Sequence, residues 1–85
     1  MSERFNVLVE VRLHEGIADP QGATIERSLP HLGFEHISEV SVGKAIRFVC
    51  DADSEATVRA GVEDLCKRFL TNPVIEDATI TVEKA

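Results

Sequence analysis

The side chains best suited to metal binding or nucleophilic catalysis are few: His14, His31, His36, Cys50 and Cys66. A protein metal site needs three or four ligands that converge at fixed geometry. The histidines show no paired spacing such as HxxxH, and neither cysteine adjoins a histidine or belongs to a CxxC pair. No base is therefore placed to activate a thiol. We predict surface histidines, no metal site, and Cys66 as a small buried apolar residue.

Two other short patterns could take part in chemistry. Glu76 and Asp77 are consecutive carboxylates, but neighbours in a strand point to opposite faces of a sheet and would not share a proton. Gly43-Lys44 could contact a phosphate, but one glycine and one lysine favour a plain turn. We therefore predict no catalytic residue and no cofactor-binding residue, and a chain that is not an enzyme by itself.

Length and charge narrow the class of protein. The chain has 85 residues, which predicts one small domain over residues 1–85 without room for a deep catalytic cleft. Its net charge is −6, which argues against nucleic acid and anionic membranes as partners because both attract a positive surface. We see no signal-peptide pattern and no apolar run of about 20 residues, and expect a cytoplasmic protein with reduced thiols.

The first half of the chain predicts a strand followed by a helix. Apolar residues alternate with mostly polar ones from Phe5 to Leu13, which is the period of a strand with one buried face. Asp19 is a suitable helix cap and Pro20 suits the first helical position. Pro30 predicts a kink or a tightened last turn before Gly33 ends the helix.

The middle segment, from Ile37 to Cys50, allows two interpretations. Val40 and Val42 share one parity with the apolar residues Ile46, Phe48 and Cys50. A three-residue turn over 43–45 would pair Val42 with Ile46 and Val40 with Phe48, giving two strands of a hairpin. One long bent strand fits the same parity.

The last third predicts a helix and a final strand. Asp53 or Ser54 caps the helix, and its buried stripe follows helical spacing: Val58, Val62, Leu65, Cys66, Phe69 and Leu70. After Asn72-Pro73, alternation from Ala78 to Val82 predicts a strand. The order β-α-β-β-α-β predicts an α+β ferredoxin-like layer, with a four-stranded antiparallel sheet and two helices on one face.

Two segments carry more sequence detail than this fold requires. Asp19-Pro20-Gln21-Gly22 is more specific than a helix start needs, and local capping leaves Gln21 unexplained. Thr71-Asn72-Pro73-Val74-Ile75-Glu76-Asp77 places the apolar pair Val74-Ile75 after a proline in a connecting loop. Such a pair either packs under its loop or lies in a subunit interface. Eight residues of the two segments are candidates for contact with a partner protein: Asp19, Pro20, Gln21, Gly22, Asn72, Pro73, Val74 and Ile75.

Four stretches resemble the PurS family in order and at matching spacing: Leu13 to Gly22, Leu32-Gly33-Phe34, Val42-Gly43-Lys44 and Asn72 to Asp77. That family comprises the small subunits of bacterial phosphoribosylformylglycinamidine (FGAM) synthase. His14 departs from the pattern, because the family usually has a lysine there, and Pro30 is also unusual.

The resemblance implies a function in de novo purine biosynthesis. A glutaminase subunit releases ammonia from glutamine, and a synthetase subunit uses ATP to convert formylglycinamide ribonucleotide to the amidine. The small subunit would bridge the two and assist ammonia transfer without catalytic residues or cofactors of its own. It would form a homodimer or a tetramer, and Leu8 and Val49 on the outer sheet face agree with self-association.

The alternative is a stand-alone ferredoxin-like regulatory module that binds a small ligand at a dimer interface. Such modules are expected to carry a glycine-rich loop after the first strand. Here that position holds Gly16 and Gly22 around a proline, which fits poorly.

Overall fold

The computed structural model describes residues 2–85, which form an α+β fold. Three strands, β1 (Glu3–Leu13), β2 (Lys44–Ala52) and β3 (Glu76–Lys84), make an antiparallel sheet in the order β2-β1-β3. The helices are α1 (Pro20–Ser28) and α2 (Glu55–Leu65). A short 3-10 turn (Pro30–Leu32) follows α1, and a π-helical turn (Cys66–Leu70) follows α2. None of the helices described in residues 2–85 is long and apolar enough to cross a membrane.

The central strand supplies half of the core. In β1, Phe5, Val7, Val9 and Val11 are buried and their neighbours are more exposed, as the alternation predicts. They pack with Val58, Val62, Cys66 and Val82. In the pairing register, Val7 is opposite Phe48 on one side and Val82 on the other. The buried residues therefore lie between the sheet and α2.

The predicted fourth strand was wrong. Within residues 2–85 the sheet has three strands, and the segment 34–43 contains none of them. The N–H groups of Val40 and Val42 donate instead to the carboxylates of Glu26 and Asp19, each over 2.8 Å. Glu39 also has a positive φ of 58°, which interrupts an extended strand. Neither the hairpin nor a single strand from Ile37 forms, because β2 begins at Lys44.

The predictions for the end of the first helix agree with the structure. α1 ends at Ser28, and Pro30 opens the tighter 3-10 turn. Proline is tolerated there because an N–H at the start of a turn has no acceptor within the turn, and proline lacks an N–H. Gly33 follows in the left-handed conformation, with a φ of 92°.

The second helix agrees with the prediction over its first three turns only. Ser54 caps it by accepting a hydrogen bond from the Thr57 N–H over 3.2 Å. Val58, Val62 and Cys66 are buried, but Phe69 is 80% exposed. The π-helical turn adds a residue to the last turn and so rotates later side chains away from the ideal 3.6-residue stripe. The prediction that Phe69 belongs to the buried stripe was therefore wrong. Leu65 precedes the π-helical turn and is 37% exposed, so its place in the buried stripe was also wrong.

The chain is elongated rather than spherical. It measures 56 × 27 × 14 Å with a radius of gyration of 16.8 Å, whereas a compact chain of this length has about 12 Å. The reason is that α2 packs on β2 and β3, while within residues 2–85 α1 has no comparable packing on the sheet. The expectation of two helices covering one face is met by α2 alone.

Candidate functional site

The two over-specified segments meet at one end of the sheet, which we call the motif end (residues 14–22, 42–44 and 72–77). β1 ends there and β3 begins there, since Leu13 pairs with Glu76. The His14 N–H donates to the Ile75 carbonyl oxygen over 2.7 Å. A cavity of about 270 Å³ is lined by Pro20 and Gln21 from one segment and Glu76 from the other. Segments 50 residues apart thus contribute to one surface.

Asp19 has a structural function at this end. One carboxylate oxygen accepts the Gly22 N–H over 3.0 Å, which caps α1, and the other accepts the Val42 N–H over 2.8 Å. These two bonds, with a further one from the Gln21 N–H, lower the pKa of Asp19 below its usual 3.8 because they favour the charged form. Asp19 therefore joins the start of α1 to the chain that leads into β2.

Gly22 is required by close packing of backbone. A Cβ atom at this position would lie 2.5 Å from the Val40 carbonyl oxygen and 2.6 Å from an Asp19 carboxylate oxygen. Gly43 is similarly restricted, since its Cβ would meet the Val11 carbonyl oxygen. Asp19 and Gly22 thus have reasons in the fold, whereas Pro20 and Gln21 are exposed and face the cavity.

The segment from Asn72 to Glu76 is a rigid turn. The Asn72 carbonyl oxygen accepts the N–H groups of Ile75 and Glu76 over 3.0 and 2.8 Å. The Glu76 side chain accepts the Asn72 N–H over 2.7 Å, and the Asn72 side chain accepts the Val74 N–H over 3.2 Å. Val74 lies at the tip and is 80% exposed, while Ile75 is half-buried. The turn therefore divides its apolar pair, with one residue inward and one in solvent.

His14 joins the ends of two strands. Its Nε2 atom lies 3.0 Å from an Asp77 carboxylate oxygen. Two residues earlier, on the same face of the sheet, the Arg12 guanidinium donates to the Thr79 hydroxyl over 2.7 Å. Both pairs connect β1 to β3 and help to fix the start of β3 beside the rigid turn. The sequence analysis did not predict the His14–Asp77 pair. It could have been inferred, because antiparallel pairing of the first and last strands brings the end of the first beside the start of the last.

The remaining candidates for chemistry stay apart. His31 and His36 are exposed, and among residues 2–85 no cluster of three or more His, Cys, Asp or Glu could hold a metal ion. Cys66 is 5% exposed, as predicted, and burial with the nearby Glu63 charge raises the pKa of its thiol. A raised pKa leaves the thiol protonated and unreactive. Glu76 and Asp77 bond to different partners and form no carboxylate dyad.

A second feature, which sequence reasoning missed, is the apolar surface of α1 and the residues after it. Four of these side chains are well exposed: Ile25 at 44%, Leu32 at 70%, Phe34 at 55% and Ile37 at 47%. A groove of about 470 Å³ is open between β2 and α2, and Phe48, Cys50 and Leu65 line it. The detectable signal was the apolar spacing of residues 25–37, which the predicted layer assigned to its own core.

Comparison with known proteins gives a family match over most of the chain. The family model described as PurS, phosphoribosylformylglycinamidine (FGAM) synthase, matches residues 6–84. The PurS subunit of Methanocaldococcus jannaschii is 40% identical over 94% of this chain and 96% of its own. That of Methanothermobacter thermautotrophicus is 41% identical over 95% of each chain.

Solved structures agree with the sequence match. The crystal structure of the M. jannaschii PurS covers 95% of this chain and 98% of its own length with a TM-score of 0.87. A chain from the structure of PurLQS from Thermotoga maritima is 26% identical and has a TM-score of 0.86 over 94% of this chain and 98% of its own. The three-stranded α+β fold is therefore one that occurs in these relatives.

Proposed function

Because the chain belongs to the PurS family of FGAM synthase subunits of purine biosynthesis, we propose that it is the non-catalytic subunit joining the glutaminase and synthetase subunits. The observation that carries this proposal is the relative solved within PurLQS from Thermotoga maritima. The motif end supports it, because its rigid turn exposes Val74 and not a reactive group. We treat all 85 residues as one functional unit in the cytoplasm.

The chemistry of the reaction explains what a subunit without catalytic residues can contribute. Ammonia in neutral water is mostly protonated, and the ammonium ion is not a nucleophile. A path closed to bulk water keeps ammonia in its reactive form and prevents its loss between two active sites. A bridging subunit assists such transfer by holding the two larger subunits in a fixed arrangement.

The partner surface that we propose at the motif end comprises the eight predicted residues in unequal roles. Asp19 and Gly22 shape the surface, since Asp19 accepts backbone hydrogen bonds within the chain and Gly22 packs against the Val40 carbonyl oxygen. Pro20, Gln21, Asn72, Pro73 and Val74 are exposed and would make the contacts, with Ile75 as their support. A preformed turn loses little conformational entropy on binding, so an exposed valine at its tip is a suitable anchor.

The test is the double substitution Pro20→Ala with Gln21→Ala in the complex reconstituted with both larger subunits. Neither side chain is buried, so the circular dichroism spectrum and melting temperature should stay close to wild type. Glutamine-dependent FGAM formation should fall several-fold, while ammonia-dependent formation should fall less. Wild-type glutamine-dependent activity would remove Pro20 and Gln21 from the partner surface, and unfolding would show that they are structural.

We further propose that two copies associate by exchanging the segment from Asp19 to Gly43. The open groove between β2 and α2 occupies the place that the first helix of a ferredoxin-like layer would fill. The apolar side chains Ile25, Leu32 and Phe34 are exposed and do not line this groove in their own chain. A second copy offers an identical groove, and the exchange is mutual, which gives a closed two-fold dimer.

The position of the missing fourth strand supports the same arrangement. β2 is an edge strand, because the sheet order is β2-β1-β3, and an unpaired edge favours association. The segment around Val40–Val42 of a second copy could pair there, in the register that the sequence predicts for a hairpin within one chain. Whether two such dimers form a tetramer is decided by the mass in solution. The ligand-binding module is not favoured, since the matched relatives are FGAM synthase subunits.

A further inference from the structure

The backbone of Val40–Val42 has two unlike edges. The N–H groups of Val40 and Val42 both point towards α1, where Glu26 and Asp19 accept them. Two alternate N–H groups on one side are the geometry of an extended chain, in which the intervening N–H points to the opposite side. That group belongs to Ser41, and among residues 2–85 it has no hydrogen-bond partner. On one edge the N–H groups are thus hydrogen-bonded to carboxylates, and on the other edge the Ser41 N–H is free to pair with another strand.

The same helix carries part of the exposed apolar surface. Ile25 on α1 is 44% exposed and is adjacent in sequence to Glu26, whose carboxylate holds Val40. The Val40 carbonyl oxygen also rests against Gly22, where a Cβ would lie 2.5 Å from it. Contacts at both ends of α1 therefore fix the orientation of residues 40–42 relative to the apolar side of the helix.

We propose that Glu26 is a positioning residue for self-association. With Asp19 it holds α1 and residues 40–42 as one preformed unit, so that the helix and the open Ser41 edge meet a second copy together. The inference rests on the proposed exchange of residues 19–43 and adds the device that aligns its two parts.

Glu26 is the informative residue because its side chain makes one hydrogen bond, to Val40, whereas Asp19 also caps the helix. Without the Glu26 bond, Val40 would be held less firmly before association, and the ordering that association then requires opposes binding. A hydrogen bond to a charged group is worth enough to change an equilibrium by roughly tenfold or more. The expected effect therefore falls on the dimer dissociation constant, and the sheet is unaffected.

The experiment compares three variants of the full chain by sedimentation equilibrium: Glu26→Ala, Glu26→Gln and Glu15→Ala. The glutamine variant keeps an oxygen that can accept the Val40 N–H but loses the charge. Glu15 is exposed, lies outside the exchanged residues 19–43 and makes no side-chain hydrogen bond within residues 2–85, so its alanine variant controls for the change in net charge. Amide hydrogen exchange at Val40 reports the bond itself, and exchange in β1 reports the integrity of the sheet.

We expect Glu26→Ala to raise the dimer dissociation constant roughly tenfold or more, with faster exchange at Val40 and unchanged protection in β1. Glu26→Gln should lie between wild type and the alanine variant, since an uncharged acceptor keeps a weaker hydrogen bond, and Glu15→Ala should dimerise like wild type. A Glu26→Ala chain that dimerises like wild type would overturn this inference alone. A Glu26→Gln chain with a dimer dissociation constant as high as that of Glu26→Ala would also overturn the inference, since the charge of Glu26 and not its hydrogen bond would then stabilise the dimer. A wild-type chain that stays monomeric would overturn the exchange together with it.

Discussion

Single residues of the Asp19–Gly22 segment separate into two groups by what they contact. Asp19 accepts N–H groups from both α1 and the Val42 backbone, and Gly22 lets the Val40 carbonyl oxygen approach the helix. Both are explained by folding alone. Gln21 lines the cavity without a side-chain partner among residues 2–85, so it is the residue for which a partner protein is the remaining explanation.

Gly22 and Gly61 form a matched pair of glycines on helices. Gly22→Ala should destabilise the protein by about 1–3 kcal/mol, because the added methyl overlaps the Val40 carbonyl oxygen. Gly61→Ala should stabilise the monomeric chain by about 0.5–1 kcal/mol, because nothing within residues 2–85 of the chain lies within 4 Å of its Cβ and alanine favours the helix. Urea denaturation of both variants measures the difference. Equal stability of the two would contradict the close approach at Gly22.

Asp19 should confer a pH dependence on the contact between α1 and residue 42. Its pKa in the folded chain is below the ordinary 3.8, so the contribution is complete above pH 3.8 and is lost as the pH falls through the lower folded value. NMR titration should show the Gly22 and Val42 amide shifts changing together, with a midpoint below 3.8. A midpoint at or above 3.8 would mean that the carboxylate does not hold these amides.

At the scale of elements, the sequence predicted those that their own periodicity and caps define. β1, α2 and β3 follow from their alternation and caps, and Pro30 and Gly33 mark the end of the first helical region. The predicted strand at 37–42 failed because carboxylates 14 and 23 residues earlier hold its N–H groups. Phe69 was misplaced because the helical period changes in the π-helical turn. Both errors arise from hydrogen bonds that a periodicity does not encode.

For the candidate site, the sequence identified the segments but not how they are joined. Val74 and Gln21 could be selected because local structure did not explain them. The His14–Asp77 pair and the Asp19–Val42 bond span 63 and 23 residues, and they depend on which strands are adjacent. The eight interface residues remain a proposal that binding experiments have to test.

The exchange of segments predicts a specific covalent cross-link. Because the Val42 N–H points to Asp19, Val42 would occupy a non-hydrogen-bonded position relative to a strand on its other edge, and such pairs have closely spaced side chains. Val42→Cys with Ile46→Cys, in a chain with Cys50→Ala, should therefore form covalent dimers on oxidation. The two single cysteine variants are the controls, and non-reducing electrophoresis is the measurement. A disulfide within one chain would indicate a hairpin and contradict the exchange.

The whole molecule is elongated and not compact, which is the shape of a subunit that packs against other chains. Its radius of gyration of 16.8 Å exceeds the value of about 12 Å for a compact chain of this length, and apolar side chains are exposed along α1 and the segment after it. The net charge of −6 gives repulsion between copies that opposes aggregation through this surface. A subunit whose exposed surfaces are completed by a second copy and by larger partners accounts for both properties.

The most direct test of the central claim is reconstitution of FGAM synthesis from the glutaminase and synthetase subunits, with and without this chain. We predict that glutamine-dependent synthesis requires the chain and that ammonia-dependent synthesis by the synthetase subunit depends on it much less, because only the former needs the two larger subunits joined. Glutamine-dependent synthesis at the same rate without the chain would contradict the account, as would glutaminase or ATP-dependent turnover by the chain alone.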